Sequence, residues 1–394
     1  MEILLHTILY ATGVYLFFNC LYLLFFSLAG HRSTRLETDG IRSRPFRRFC
    51  ILMPAYREDR VILETSLAAL NHGYKGDFQV YVIADGLQPK TLQTIAASGA
   101  EVIEVAFEKS TKGKALQTAL QAIPAHAFDV ALVLDVDNVM APGFLHEVND
   151  AFSAGYRVVQ AHRTAKSTDS AFALLDACNE EINNHIFRKG HFALGMSSSL
   201  IGSGMAFDFS YLKKLLHGIG ETAGEDKEID FRILKNQVKI AYLHNTLVYD
   251  EKIENAAVFT KQRTRWIATQ VEFLRKYAAE GLVQFFKQGN VEFLDKLVQT
   301  ALLPRTLLIG VLSGMGVLSV FIPYGPRWGF WAGLFLLLST ALLLALPARL
   351  YTRQLWLAVV RLPYAIFCMC LALFRINSAK SSFLPTPHRV KEAS

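Results

Sequence analysis

The sequence is poor in cysteine and contains no internal repeat and no low-complexity segment. No cysteine pair has the CxxC spacing that is typical of zinc sites, and a reducing cytoplasm would keep the thiols unbonded. We therefore expect neither a structural zinc site nor disulfide bonds. The five cysteines are Cys20, Cys50, Cys178, Cys368 and Cys370.

Charge is absent from a long stretch near the N-terminus. Residues 3–29 contain no Asp, Glu, Lys or Arg, and at ~1.5 Å per residue this run is longer than the ~30 Å hydrocarbon layer of a bilayer. It predicts one transmembrane helix. A cleaved secretory signal is not expected, because such a signal has a basic start and a shorter apolar run, whereas this chain begins Met1-Glu2.

Basic residues follow this apolar run immediately. The positive-inside rule places such a cluster in the cytoplasm, so the N-terminus is expected outside. The net charge of +7 is interpreted in the same way, as a topology signal beside anionic lipid. Nucleic-acid binding is not expected, because no motif for it accompanies the charge. The cluster comprises His31, Arg32, Arg35, Arg42, Arg44, Arg47 and Arg48.

Short apolar runs alternate with helical patterns from about residue 49 to residue 247. Four of these runs are residues 50–53, 80–83, 102–105 and 130–134. The alternation predicts an α/β fold with a mostly parallel sheet and helices on both faces. Such sheets bind ligands at the carboxyl ends of their strands, so the residues that follow these runs are the first candidates for chemistry.

The C-terminal third is predicted to contain membrane-associated helices. Residues 255–299 are amphipathic, and such a helix could lie in the membrane interface or pack on the preceding domain. Two apolar runs, residues 302–322 and 329–346, are separated by a Pro- and Gly-containing turn. They predict a transmembrane hairpin.

A third apolar run, residues 355–374, is interrupted by Arg361 and Pro363 and leads into a basic tail. Because a full crossing would place that tail outside, we expect this run to lie in the interface or to dip into the bilayer without crossing. The predicted divisions are 1–30 for the first transmembrane helix, 31–254 for the α/β domain, 255–299 for the amphipathic helices, 300–347 for the hairpin, and 348–394 for the interfacial helix and tail.

The motif Asp135-Val136-Asp137 follows the fourth apolar run. In an extended segment residues i and i+2 point the same way, so we expect the two carboxylates to converge. Converging oxygen donors suit Mg²⁺ or Mn²⁺, which could bridge a diphosphate. Solvated carboxylates at a strand end are the alternative.

Other polar residues follow the same strand ends. Tyr56 and Glu58 come after the first apolar run, and Asp85 ends the second. At one sheet edge they could form a pocket for a base and ribose, or they could be ordinary loop residues and caps. Lys112 opens a helical pattern, where it and free backbone amides could meet a phosphate, or it could be a solvated helix start.

Two further segments are candidates for chemistry. Glu225-Asp226 precedes a helical pattern, where the helix dipole favours an ionised carboxylate, as a general base requires. The segment from Gln262 to Trp266 contains Arg265. As isolated residues these would be an interfacial helix with a Trp anchor.

Together these residues resemble glycosyltransferase family 2, and in particular its membrane-embedded branch of cellulose, hyaluronan and chitin-oligosaccharide synthases. The resemblance runs from about residue 48 to residue 266. In order, the matching elements are Pro54-Ala55-Tyr56-Arg57-Glu58, Ala84-Asp85-Gly86, Lys112-Gly113-Lys114-Ala115, Asp135-Val136-Asp137, Gly202-Ser203-Gly204-Met205, Glu225-Asp226, and the QxxRW motif of Gln262, Arg265 and Trp266.

The resemblance implies a GT-A fold and a role for each matched residue. Asp226, in the acidic motif with Glu225, would be the catalytic base, and Asp135 and Asp137 would hold Mg²⁺ or Mn²⁺. The other matched residues would contact either the donor or the acceptor. The donor would meet Tyr56, Glu58, Asp85, Lys112, Asp135, Asp137 and Arg265, and the acceptor would meet Gly202, Ser203, Gly204, Gln262 and Trp266. Thr386 would take the place of a gating threonine.

The implied reaction is a single inverting displacement from a UDP-sugar to a glycan or lipid acceptor. The expected setting is a bacterial plasma membrane with the catalytic domain in the cytoplasm. The expected function is a processive β-polysaccharide or oligosaccharide synthase. The alternatives are an enzyme that adds one sugar to a lipid, and a transporter or binding scaffold with an inactive transferase domain. Association with a second copy or with a secretion partner is left open. Ala84 and Gly224 depart from the cellulose synthase pattern, which leaves the donor sugar undetermined.

Overall fold

The computed structural model describes residues 1–34, 45–219, 224–252, 256–361, 363–364 and 366–367. The strands are β1 (Phe49–Tyr56), β2 (Phe78–Asp85), β3 (Glu101–Val105), β4 (Val130–Val133), β5 (Val139–Met140), β6 (Val158–Ala165), β7 (Met205–Asp208) and β8 (Ile240–Asp250). The helices are α1 (Glu2–Ala29), α2 (Asp59–Leu70), α3 (Pro89–Ala97), α4 (Lys112–Ala122), α5 (Phe144–Ser153), α6 (Ala171–Asn183), α7 (His191–Ala193), α8 (Phe209–Leu216), α9 (Glu225–Lys235), α10 (Ala256–Gln288), α11 (Val291–Ala301), α12 (Arg305–Phe321), α13 (Trp328–Ala345) and α14 (Arg353–Val359). A π-helical segment, Asn184–Gly190, joins α6 to α7.

The strands form one sheet in the order β3-β2-β1-β4-β7-β6-β8-β5. The first four are parallel to one another, as the alternation of runs and helical patterns predicts. The second half is mixed, because β7 runs antiparallel to both β4 and β6. The α/β prediction with a GT-A-like sheet is therefore confirmed, with more antiparallel pairing than the sequence indicated.

Helices cover both faces of this sheet. The side chains of β1 alternate between two apolar clusters: Ile51 and Met53 pack with α2 and α5, whereas Cys50 and Leu52 pack with α4 and α8. This period of two is the direct consequence of successive side chains pointing to opposite faces. Burial on both faces explains why β1 and β4 are almost wholly apolar.

Three apolar helices pack together beside the sheet domain. Helices α1 and α13 are long and apolar enough to cross a membrane, and α12 forms with α11 a pair bent by 57° that could serve as a third span. Their shared core includes Leu16, Leu308 and the fully buried Trp331. The predicted hairpin corresponds to α12 and α13.

The amphipathic segment forms α10 and α11, and one face of it packs on the sheet domain. Phe273 and Tyr277 of α10 and Phe293 of α11 stack around Phe231 of α9. Further along α10, Phe286 is 79% exposed. The described contacts therefore support packing on the domain, which is one of the two placements that the sequence left open. The exposed face of α10 is compatible with a position in the membrane interface as well.

The third apolar run is only partly described. Its first residues lie in the short helix α14, where Leu355 and Ala358 pack with Leu174 and Cys178 of α6. Residues 362, 365 and 368–374 of the run, and Thr386, lie outside the described residues. The prediction about the topology of this segment therefore remains a prediction.

Candidate active site

One cavity of about 1270 Å³ lies where the parallel strands β1, β2 and β4 end, and it extends to α9, α10 and the α11–α12 junction. Twelve of the residues that the sequence analysis selected line it. They are Tyr56, Glu58, Asp85, Lys112, Asp135, Asp137, Gly202, Glu225, Asp226, Gln262, Arg265 and Trp266. Ser203 is buried, and Gly204 packs against Val248, so both support the wall without lining the cavity.

The first corner of the cavity is formed by the ends of β1 and β2. Tyr56 pairs in register with Asp85, so parallel pairing brings their side chains to the same edge. Asp85 is buried, and its carboxylate accepts a hydrogen bond of 2.5 Å from the Ser110 hydroxyl. Gly86 turns the chain away from the edge with φ of +71°, a conformation that glycine adopts without strain.

Lys112 opens α4, as predicted, and points into the cavity. Its ammonium forms an ion pair with Asp135 and donates a 2.6 Å hydrogen bond to the Gly202 carbonyl. Burial alone would lower the pKa of Lys112, but the carboxylates of Asp135 and Glu225 outweigh that effect and raise it. Lys112 therefore remains charged, and the third N–H group of its ammonium is left for a further acceptor such as a phosphate oxygen.

Asp135 and Asp137 do not lie in an extended segment, so the geometry expected from the sequence is wrong. Strand β4 ends at Val133, and the chain then turns, with the Asn138 amide donating to the Asp135 carbonyl at 3.1 Å. Both carboxylates nevertheless line the cavity. Asp137 is held in place because its two oxygens accept hydrogen bonds from the Asn138 side chain at 2.9 Å and from the Glu251 amide at 3.0 Å.

The charge of the cavity suits a divalent cation. Among the described residues, thirteen carboxylates and ten Lys or Arg side chains line it, so a diphosphate would enter a cavity that is already negative. No three His, Cys, Asp or Glu side chains cluster as a metal site in the described part of the chain. Mg²⁺ commonly uses one or two carboxylates and completes its shell with water and substrate phosphates. Asp135 and Asp137 fit that donor set.

A buried charge network behind these aspartates was missed in the sequence analysis. Arg163 on β6 donates to Glu180 at 2.8 Å, lies 3.3 Å from Asp250, and lies 3.9 Å from Asp135. Lys252 adds a 2.8 Å ion pair with Asp250. Because these residues lie on β6, on α6, at the end of β8 and just after it, no local spacing joins them. The acidic pair Asp250-Glu251 is a sequence signal that could have indicated this network.

Glu225 and Asp226 begin α9, where the sequence analysis placed them. One oxygen of Asp226 accepts a 2.9 Å hydrogen bond from the Lys227 amide. The other oxygen faces the Gly202 loop, since a Cβ added at Gly202 would lie 3.8 Å from both that oxygen and the Lys112 ammonium. The proposed base, the lysine and the glycine loop therefore meet in one part of the cavity.

Glu225 differs in its electrostatics from a surface carboxylate. Burial, reinforced by the negative charge of Asp226, raises the pKa of Glu225 to about 7, although Lys112 and Arg265 oppose the change. In the folded protein Glu225 therefore holds its proton into the neutral range, whereas an unfolded chain would release it near pH 4.5.

This difference predicts a pH-dependent stability. Between about pH 4.5 and 7 the folded state binds more protons at Glu225 than the unfolded state does, so this residue's contribution to stability should fall as the pH rises through that window. We expect the melting temperature of the wild type, relative to that of Glu225→Gln, to decrease from pH 5 to pH 7.5. A difference in melting temperature between the wild type and Glu225→Gln that does not change with pH would show that Glu225 has an ordinary pKa.

The QxxRW segment lies on α10 and faces the cavity. The Arg263 guanidinium stacks on the Trp266 ring at 4.1 Å and forms a 2.6 Å ion pair with Asp176 of α6. Trp266 is thus held in the cavity wall, which does not fit the alternative of a membrane anchor. No carboxylate of the described residues lies within ion-pair distance of Arg265, which also lines the cavity.

The sequence profile of a protein family described as "Glycosyltransferase like family 2" matches residues 47–269. The matched range covers the whole sheet domain and the first part of α10, and it includes every site residue named above except Thr386. It excludes the apolar helices α1, α12 and α13.

Two curated relatives each match about three fifths of the chain. An N-acetylglucosaminyltransferase from Rhizobium leguminosarum bv. viciae is 23% identical over 60% of this chain and 59% of its own length. The probable glycosyltransferase YdaM of Bacillus subtilis (strain 168) is 25% identical over 60% of this chain and 57% of its own length. The chain thus spans about three fifths of the length of these relatives.

Among solved structures, the mannosyltransferase PcManGT from Pyrobaculum calidifontis, in complex with GDP-Man and Mn²⁺, is similar to this chain with a TM-score of 0.48 and 14% identity. The likeness covers 86% of this chain and 97% of that one.

Proposed function

The chain belongs to the glycosyltransferase-like family 2, and on that premise we propose that it transfers a sugar from a UDP-sugar to an acceptor hydroxyl by a single inverting displacement. One observation carries this proposal. The carboxylates of Asp135 and Asp137, the carboxylate of Asp226 and the guanidinium of Arg265 line the same cavity. A transferase of this kind needs these groups together: a site for the diphosphate, a base and a cation for the leaving group.

In the proposed mechanism Asp226 accepts the proton of the acceptor hydroxyl while that oxygen attacks the anomeric carbon. The bond from that carbon to the diphosphate breaks, and UDP departs with the electron pair. An α-linked donor would therefore yield a β-linkage. Arg265 faces the charge that grows on the diphosphate, and a preorganised cation is most effective there because it needs no reorganisation.

The same cavity offers places for the remaining roles. Asp135 and Asp137 would hold Mg²⁺ or Mn²⁺, which would neutralise the leaving diphosphate. Asp85 and Glu58 lie at the far corner, where they could bind the uridine. Trp266 and Gln262 would contact the acceptor, and the Trp266 ring offers a flat surface on which a sugar or a lipid head group can stack.

The membrane setting is part of the proposal. Helices α1, α12 and α13 would anchor the sheet domain at the cytoplasmic face of a bacterial plasma membrane, and the basic residues after α1 would remain inside. An exported glycan polymer and a lipid that receives one sugar are both compatible products of such an anchored enzyme. An inactive scaffold is disfavoured, because the carboxylates and the arginine that the chemistry needs are all present in the cavity.

The experiment is a donor screen. Membranes from cells that express the chain are incubated with radiolabelled UDP-glucose, UDP-galactose, UDP-N-acetylglucosamine and GDP-mannose, with Mn²⁺ or with EDTA. We expect one UDP-sugar to give a labelled product that requires the metal. Label from GDP-mannose alone, or no label above membranes that lack the chain, would contradict the proposal.

Arg265→Lys should behave as a severe substitution. The planar guanidinium can bind two phosphate oxygens at once, whereas an ammonium acts as a point charge, so we expect transfer to fall by about tenfold or more. Trp266→Ala should mainly raise the acceptor concentration that is needed for half-maximal rate. Steady-state rates at varied donor and acceptor separate the two effects. Full activity in both variants would leave the QxxRW segment a merely structural part of α10.

A further inference from the structure

We propose that the acceptor is a membrane lipid whose head group carries both a free hydroxyl and a phosphate, and that Arg305 binds the phosphate. This inference rests on the proposed transfer reaction and names the substrate class for it. It is carried by two features of one end of the cavity: an apolar wall built from the membrane-side helices, and an arginine that has no carboxylate partner.

The part of the cavity lining that comes from α1, the π-helical segment and the α11–α12 junction includes an apolar strip, beside polar groups of α11 and α12 such as Gln299 and Arg305. The apolar residues are Leu23, Phe187, Leu302, Leu303 and Pro304. Most of them also belong to, or pack against, the core that joins α1, α12 and α13. The donor site is therefore continuous with the part of the protein that would lie in lipid.

The junction between α11 and α12 is an ordered bend rather than a frayed helix end. The two helices meet at 57°, and the backbone groups that the break frees are bonded by neighbouring helices. Asn19 of α1 accepts from the Leu303 amide at 2.8 Å, and Gln270 of α10 donates to the Thr300 and Leu302 carbonyls at 2.7 Å each. Irregular backbone at membrane depth is tolerated when it is satisfied in this way or lines a cavity.

Arg305 begins α12 directly beside this apolar wall and lines the cavity. Its guanidinium donates to the main-chain and side-chain oxygens of Asn179, and its second terminal nitrogen is buried without a partner among the described residues. No carboxylate of the described chain lies within ion-pair distance of it. Glu180, which is also in this part of the cavity, is already bound by Arg163.

Three other arginines that line the cavity are paired with carboxylates. Arg163 and Arg188 share Glu180, and Arg263 is paired with Asp176. A buried guanidinium without a carboxylate partner is costly, because its charge has lost water and the neutral Asn179 oxygens replace that water only in part. An incoming phosphate would supply the missing charge, and the planar fork of an arginine matches phosphate oxygens well.

The position of Arg305 fits an acceptor more closely than a donor. Arg263 lies between Asp176 of α6 and the ring of Trp266, and it is near enough to Arg305 for the two positive charges to repel. Arg305 therefore lies near the arginine that stacks on Trp266, the residue proposed to contact the acceptor. A lipid could place its chains against Leu302 and Leu303, its phosphate at Arg305 and its hydroxyl toward Asp226.

The chemistry of such an acceptor is balanced without a further reagent. The lipid hydroxyl oxygen forms the new bond to the anomeric carbon, its proton passes to Asp226, and the bond to UDP breaks. The phosphate takes no part in bond making. It only holds the head group. Loss of its contact with Arg305 should therefore raise the acceptor concentration at half-maximal rate and should not alter donor binding.

The test starts from native membranes that contain the full chain and the UDP-sugar found active in the donor screen. Labelled product is extracted into chloroform and methanol and applied to an anion-exchange column. We expect label in the organic phase that is retained on the column. Organic label that passes through the column would mean a lipid without phosphate, and label in water-soluble material of mixed size would mean a polymer. Either result would overturn the inference and leave the transferase proposal intact.

Arg305→Gln tests the residue itself. The purified chain is reconstituted in phosphatidylcholine vesicles that carry increasing amounts of the anionic lipid fraction from the same membranes. The loss of a charged hydrogen bond should raise the acceptor concentration at half-maximal rate by about tenfold to a hundredfold, and Arg305→Lys should restore part of it. UDP affinity, measured on the same samples, serves as the fold control.

The matched control is Arg275→Gln. Arg275 is an exposed residue of α10 that does not line the cavity, so this variant should behave like the wild type. An Arg305→Gln variant that binds UDP normally and needs no more lipid than the wild type would overturn the assignment. Absence of any labelled product in the wild type would instead be a failure of the proposed function.

Discussion

Asp226→Asn is expected to abolish sugar transfer while UDP binding stays nearly intact. The substitution removes the proposed proton acceptor and keeps the size of the side chain and an oxygen for the Lys227 amide. Loss of a general base costs about 10² to 10⁴ in rate. The measurements are the initial rate of label transfer and a calorimetric titration with UDP, made on the same preparation.

Two further variants make this result interpretable. Asp77→Asn changes an exposed aspartate before β2, at the sheet edge opposite the cavity, and should leave the rate unchanged. Glu225→Gln removes the neighbouring carboxylate and should impair transfer less than Asp226→Asn. Near-normal turnover in Asp226→Asn would show that another group is the base, and a larger loss in Glu225→Gln would identify Glu225 as that group.

Asp137→Asn should weaken nucleotide binding that depends on the metal. The asparagine keeps an oxygen for the Glu251 amide, so the turn after β4 can persist, but a charged oxygen donor is lost from the cation site. In the wild type we expect Mn²⁺ to increase the affinity for UDP. In the variant we expect that increase to be smaller by about tenfold to a hundredfold. Titrations with UDP in Mn²⁺ and in EDTA measure it. The same gain in wild type and variant would exclude Asp137 as a metal ligand.

The half of the sheet that carries the donor end of the site could be predicted because its signals are local. Each of β1 to β4 is a short apolar run, and parallel pairing then brings the residues that follow to one edge. Tyr56 and Asp85 became neighbours in register for that reason. The antiparallel insertion of β7 could not be predicted, because strand direction depends on connections that no local pattern records.

The interior of the site was less predictable, because its groups depend on contacts between distant segments. Arg163 and Glu180 meet only when β6 and α6 pack together. Trp266 had a plausible membrane role as an isolated residue, namely an interfacial anchor, and Arg305 lay unremarked within the apolar run of residues 302–322. Packing of α10 and α12 against the sheet domain placed both in the cavity wall instead. Asp135 and Asp137 line the cavity, but the turn in which they lie was not expected from the sequence.

The anomeric configuration of the product tests the central claim most directly. The full chain in membranes is supplied with the active α-linked UDP-sugar and Mn²⁺, and the new linkage is determined by ¹H NMR from the coupling of the anomeric proton. The account predicts a β-linkage that forms only when Asp226 is present, with one UDP released for each bond. An α-linked product would contradict the single displacement by an acceptor that Asp226 activates.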